Sequence, residues 1–273
     1  MSQLTELLHA RYGAAAPKFK NGANQAITTL LQHRSVRAYL PDPIDDETLG
    51  LIIAAAQSAS TSSNIQAWSV VAVRDPERKA RLAALAANQK QILEAPLFLV
   101  WVADLSRLRR IANQIGDPAE GLERLDSFLV GVTDTTIAAQ SAVAAAESLG
   151  YGVVYIGALR SHPDKVAAEL NLPPGAFPLY GLVVGKPDPA RPASVKPRLP
   201  QKVVLHQEQY SAAAETEALA EYEKIIQEFQ ASQKLPIQEW KKQAVGRVKV
   251  TEASNGRTPI LEALGKLGFI TTH

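Results

Sequence analysis

The chain contains no cysteine. Disulfides, thiolate catalysis, iron–sulfur ligation and thiolate zinc sites are therefore excluded, and the absence is compatible with a reducing compartment. The five histidines, His9, His33, His162, His206 and His273, form no HxH or HxxxH spacing, so the order of residues points to no metal. Charge of one sign is not in excess: 29 basic against 27 acidic residues leave a net +2. That does not suggest a nucleic-acid binder, which normally carries a basic face or stripe. The opening residues Met1 to Glu6 lack a basic stretch followed by an apolar one, so no signal peptide is evident. The most apolar long stretch, Phe128 to Leu149, is interrupted by Asp134, Gln140 and Glu147. It reads as a buried helix and not a membrane span, and cytoplasmic residence is the expectation. No GxGxxG follows a strand, and neither a Walker loop nor a GxSxG elbow is present, which disfavours a Rossmann dinucleotide site.

What is present is ordinary globular composition, with 46% hydrophobic and 21% charged residues over 273 positions, enough for one large domain or two small ones. Leu4 to Arg11 reads as a short amphipathic helix, and Gly13 to Gly22 as a linker. Asn24 is a plausible cap for a helix to His33, and Asp45 for one through Ala56. Trp68–Val73 and Leu97–Val102 are nearly all apolar and predict central strands covered on both faces. Further helices are predicted at 76–87, 105–115, 122–149 (ended by Gly150) and 162–170, and further strands at 152–157 and 178–185. Residues 186–200 are rich in proline and basic side chains and must cross a surface in extended form. Helices follow at about 208–229, 236–245 and 259–267. The pattern is a sheet of at least four strands flanked by many helices, without regular β/α alternation, so a full doubly wound fold is not expected.

The most informative segment is Gln32 to Tyr39, QHRSVRAY. It places three potentially cationic side chains and a hydroxyl between His33 and Arg37. Arginine offers a planar fork to two phosphate oxygens and serine a short O–H donor, so the cluster suits a phosphate. If the segment is extended, Arg34 and Val36 point one way and Ser35 and Arg37 the other. A solvated basic helix end explains the same residues, since cations are favoured at a helix C-terminus. Other pieces carry the same double reading. Ser60 to Trp68 is a run of small polar residues before a strand, either a solvated loop or the border of a planar polar ligand. Asn88-Gln89-Lys90 is a surface loop, or a source of an amide for the donor–acceptor edge of a heterocycle. Gly157 after Val154-Tyr155-Ile156 marks a plain turn, or the close approach of something to the backbone. In Lys196-Pro197-Arg198 the proline fixes the relative direction of two cations, which close over a phosphate or simply stand in solvent.

In this order the pieces resemble the nitroreductase family of FMN enzymes, in particular its larger branch of oxygen-insensitive nitroreductases and NADPH–flavin oxidoreductases. The resemblance is carried by HRSVR (33–37), SSxxQ (62–66), AAESLGYGVVYIG ending at Gly157, and KPRLP (196–200), and it spans about residues 24 to 270. It implies an α+β fold with a central, mostly antiparallel sheet flanked by helices. It implies a homodimer with FMN sites at the interface and a C-terminal arm wrapping the partner. The corresponding division is an N-terminal extension (1–22), an FMN-binding core (23–185), and an arm with helical extension (186–273) belonging to the same domain. By position, His33, Arg34, Ser35, Lys196 and Arg198 would bind the FMN phosphate, and Arg37 the pyrimidine edge of the ring. Thr61, Ser62 and Ser63 would border the cofactor, Gln89 would pair with the ring edge, and Tyr155, Ile156 and Gly157 would line the backbone strip near N5. Arg257, in Asn255-Gly256-Arg257-Thr258, would face the substrate.

The chain departs from the family pattern in two places. Ala158 stands where a second glycine is common, and 230–234 (QASQK) lacks the arginine that holds the 2′-phosphate of NADPH in some members. Lys234 is the available point charge there, so the choice between NADPH and NADH stays open. The chemistry implied is ping-pong hydride transfer from the nicotinamide through the flavin to nitroaromatics, quinones, azo dyes, chromate or free flavin. Arg37 is the candidate stabiliser of the reduced flavin, and no protein acid or base is demanded. Two alternatives remain: a reductase that releases reduced FMN, and a non-enzymatic nucleotide- or anion-binding regulator. No membrane, nucleic acid or metal partner is expected.

Overall fold

The computed structural model describes residues 2–249 and 257–269. The described helices are α1 (Gln3–Tyr12), α2 (Gln25–Gln32), α3 (Asp46–Gln57), α4 (Pro76–Leu85), α5 (Lys90–Glu94), α6 (Ser106–Ile115), α7 (Leu125–Ser148), α8 (Pro163–Glu169), α9 (Gln201–Val204), α10 (Glu215–Ser232), α11 (Trp240–Gly246) and α12 (Ile260–Lys266). The strands are β1 (Trp68–Val73), β2 (Leu97–Asp104), β3 (Gly152–Ile156) and β4 (Ala176–Gly185). The chain divides into two compact units, residues 1–34 with 193–251, and residues 35–192 with 252–273.

The second unit holds the sheet, in the order β1-β2-β4-β3, with each neighbouring pair antiparallel. This is the α+β arrangement that the resemblance implied. Every residue of β2 is buried, as an uninterrupted apolar run demands when both faces are covered. Leu97, Leu99 and Trp101 face one core, shared with Ile52 and Ala56 of α3 and with Ala138, Ala139, Ala142, Val143 and Ala146 of α7. Four of these α7 side chains are alanine, which lets the helix backbone lie close to the sheet. By length and composition α7 is one helix able to cross a membrane, yet this face is packed into the core. A second core gathers Phe128, Phe177 and Phe269 edge-to-face, with centroids 5.2 to 6.2 Å apart, and docks Ala263 and Leu264 of α12.

Several capping expectations hold. Asn24 Oδ1 accepts from the Ile27 amide at 3.0 Å, Asp45 from the Thr48 amide at 2.6 Å, and Gly150 follows α7 at φ +85°. Trp68–Val73 differs from expectation: β1 pairs with β2 alone and is half-buried, hence an edge strand. An apolar run does not distinguish a strand with two neighbours from one with a single neighbour and partial helical cover. The helix expected from about 208 begins at Glu215, preceded by the short α9 that was not expected, and the one expected from 236 begins at Trp240.

Candidate functional site

In the first unit the candidate phosphate residues are organised by a side chain from α1. Arg11 is 5% exposed. Its guanidinium donates to the carbonyls of Leu31 (3.0 Å), Lys196 (3.0 Å) and His33. Its own carbonyl accepts from the Arg198 amide at 2.7 Å. Tyr222 of α10 adds a hydroxyl donated to the Pro197 carbonyl at 3.3 Å. The backbone of Lys196-Pro197-Arg198 is thus held at three successive residues, while the side chains of Lys196 and Arg198 stay exposed. His33 ends α2 with its amide on the Leu30 carbonyl, and Arg34 follows it, exposed. Four groups able to carry positive charge thus stem from one neighbourhood: the His33 and Lys196 carbonyls are tied to the Arg11 guanidinium, the Arg198 amide to the Arg11 carbonyl, and Arg34 follows His33. Beside the strap lies a cleft of about 510 Å³ lined in part by Lys196, Arg198, Tyr222 and Trp240. Lys234 is exposed, in a left-handed turn (φ 53°) after α10.

In the second unit Ser35 forms a parallel bridge to Val153, and the Val36 amide donates to the Val153 carbonyl at 2.9 Å. Val36 lies on Gly152, where a Cβ would come within 2.6 Å of the valine Cγ2. Only glycine lets the segment approach so closely. Ser35 and Arg37 are exposed while Val36 is buried, as an extended segment requires; Arg34 is exposed too, so Arg34 and Val36 do not share an environment. The Tyr39 hydroxyl donates to the Val36 carbonyl at 2.6 Å. Burial pushes the Tyr39 phenol up, and the Arg37 charge pulls the other way.

The edge strand β3 that receives this segment also carries Tyr155, Ile156 and the start of the Gly157 turn. Tyr155 is 36% exposed and meets Tyr180 edge-on at 5.1 Å, Ile156 is buried, and Gly157 is exposed. Arg257 is exposed beside Thr258. The Thr258 amide donates to the Ser161 carbonyl at 2.9 Å and its hydroxyl to Asp164 at 3.0 Å. Arg257 is thereby brought to the turn that begins at Gly157. Asn255 and Gly256 lie outside the described residues.

The 60–67 loop is anchored by Asp134 of α7, which is 1% exposed. Its carboxylate accepts from the Thr61 hydroxyl (2.5 Å), the Ser62 amide (3.0 Å) and the Ala67 amide (3.0 Å). The Thr61 oxygen in turn accepts from the Gln66 amide at 2.9 Å. The Thr61 hydroxyl is thus committed within the loop, whereas Ser62 and Ser63 are exposed. Ser63, Asn64 and Gln66 have φ of 48°, 57° and 51°. Three side-chain-bearing residues in the left-handed region within one short loop store strain, which the Asp134 bonds offset. Arg107 of α6 fixes the loop's exit, donating to the carbonyls of Gln66 (2.8 Å) and Trp68 (3.2 Å). Gln89 precedes α5, and its side-chain Oε1 accepts from the Gln91 side-chain Nε2 at 2.5 Å.

Sequence reasoning missed Arg11, Asp134 and Gly152 as supports. Asp134 left a visible trace, because a carboxylate inside an apolar helix must be paired when buried. Arg11 left none, since a basic residue in a helix's last turn is as common in solvent.

The family model described as "Nitroreductase family" matches residues 30–186, and "Nitroreductase family, C-terminal domain" matches 196–272. The chain is 45% identical over 188 residues to "FMN reductase [NAD(P)H]" of Bacillus subtilis (strain 168), covering 68% of this chain and 75% of that protein. It is 36% identical over 250 residues to "NADPH-flavin oxidoreductase" of Vibrio harveyi, covering 90% and 98%. Among solved structures it resembles NfrA2 of B. megaterium with TM-score 0.85 and 36% identity, over 92% of this chain and all of that one. The protein belongs to the nitroreductase family.

Proposed function

We propose that this protein is an FMN-dependent NAD(P)H oxidoreductase that reduces nitroaromatics, quinones or related electrophiles. The observation that carries this reading is the set of cations, His33, Arg34, Lys196 and Arg198, rooted in backbone that Arg11 ties together. A phosphate monoester asks for several fixed charged donors, and this set fits it. Ser35 adds a hydroxyl from the neighbouring residue. Arg37 supplies the cation for the pyrimidine edge, where negative charge is stabilised by a fixed donor. Ser62, Ser63 and the Thr61 backbone border the ring, Gln89 pairs with its edge, and Tyr155, Ile156 and Gly157 present backbone beside N5. When bound, FMN supplies two-electron chemistry at N5 between a nicotinamide donor and a second acceptor. Arg257 and Lys234 face the substrates, Lys234 as a point charge toward a nucleotide phosphate.

The protein acts in the cytoplasm as a homodimer, with residues 186–273 as the arm that wraps the partner and 23–185 as the core. The exposed apolar side chains of Val204, Leu205 and Tyr210 on this arm support that role. The test is direct. Purified protein should be yellow, its absorbance should bleach with NADPH or NADH without oxygen, and it should recover on adding menadione or nitrofurazone. Colourless protein that takes up no FMN ends the reading. The relatives' description as FMN reductases favours a second reading, release of reduced FMN. Flavin passing an ultrafilter during turnover selects it; flavin retained throughout selects the first.

A further inference from the structure

Residues 1–22 precede both stretches matched by the family models. We infer that this extension is part of the phosphate site, with Arg11 as its positioning residue. The inference rests on the assignment of His33, Arg34, Lys196 and Arg198 to the phosphate.

A long cationic side chain is costly to bury, and Arg11 is buried with each of its three nitrogens donating to a backbone carbonyl. Two of those carbonyls belong to His33 and Lys196, residues distant in sequence that both carry candidate phosphate ligands. One planar fork therefore sets the separation of two ligand-bearing segments, a task to which a rigid guanidinium is suited and a single ammonium is not. Because a trans peptide points its C=O and N–H in opposite directions, turning the His33 carbonyl onto Arg11 turns the Arg34 amide away from it. The Arg198 amide is held by the Arg11 carbonyl, so the strap is fixed on both sides of Pro197. Gly13 allows the extension to sit this closely. It follows α1 at φ +54°, and a Cβ there would approach Ile225 of α10 to 3.0 Å. The buried positive charge also adds to the local field that favours an anion.

The consequence is selectivity for the phosphorylated flavin. Full-length protein freed of flavin is titrated with FMN and with riboflavin, which lacks the phosphate, for wild type, Arg11→Met, Arg11→Lys and Lys196→Ala. Arg11→Met is expected to weaken FMN about tenfold or more, the worth of a charge-assisted hydrogen bond, with riboflavin affected much less. Arg11→Lys should recover part of the loss. In the unaltered protein, FMN and not riboflavin should slow amide exchange at residues 8–13 and at Arg198, a readout that does not depend on a variant folding. An unchanged FMN-to-riboflavin ratio in Arg11→Met and Arg11→Lys, or equal exchange protection by both flavins, overturns the clamp. If Lys196→Ala also leaves the ratio unchanged, the phosphate assignment itself falls, and the clamp with it.

Discussion

Asp134 is the side chain whose removal the sheet unit should feel most. Its carboxylate answers three donors from a loop held partly in left-handed conformation. Asp134→Ala leaves a buried hydroxyl and two amides without their acceptor, and is expected to cost about 3 kcal/mol or more. The measurement is the urea midpoint; an unchanged midpoint would show that the loop does not depend on this residue. Gly152→Ala tests a different contact, the seat of Val36 on bare backbone. Overpacking there should cost about 1–3 kcal/mol and weaken FMN binding, since Ser35 and Arg37 flank the displaced valine. Retained affinity together with retained stability would show that the segment relaxes freely. At this scale the sequence was readable where a residue breaks a local rule. HRSVR concentrates charge and was read as a site; Asp134 showed only as an interruption of an apolar helix, and its role as the loop's anchor was missed. Arg11 and Gly152 break no local rule, because what makes them matter is the carbonyl or methyl group that folding brings to them.

Among elements, the strands were legible as runs of apolar residues, and the caps at Asn24 and Asp45 as short polar residues before helical patterns. The place of β1 at the sheet edge was not, because neighbour number is a property of topology. The starts of α10 and α11 were misplaced because polar, weakly periodic stretches carry no boundary signal there. The joint between β2 and α6 has a checkable pH dependence. Asp104 ends β2, accepting from the Ser69 hydroxyl (2.6 Å), the Ser106 hydroxyl (2.5 Å) and the Ser106 amide (3.0 Å). Burial works to raise its pKa, but these hydrogen bonds and the Arg107 charge outweigh it and hold the carboxyl below its ordinary value. As pH falls the unfolded chain therefore binds this proton first. The stabilisation is complete above about pH 4 and is lost as pH falls through the lower folded value. The stability gap between wild type and Asp104→Asn should accordingly narrow on acidification below that point. A gap constant down to pH 2 would show that Asp104 gains nothing from its charge.

For the whole molecule, the motifs pointed to the family because they combine unusual residue clusters in a fixed order. The composition of the first unit, in which residues 1–34 join residues 193–251, was not readable, since its joining contacts use common residues and backbone carbonyls. Homodimerisation through the 186–273 arm is expected to appear in light scattering at twice the 29.4 kDa chain mass. Truncation after Gly185 should abolish it; a truncated chain that still dimerises would remove the arm's assigned role. The central claim is that one phosphate gathers cations from opposite ends of the chain. A crystal structure of the FMN-saturated protein tests it most directly. The account predicts the side chains of Arg34 and Lys196 on the same phosphate, and a flavin seated elsewhere with neither residue touching it would contradict it.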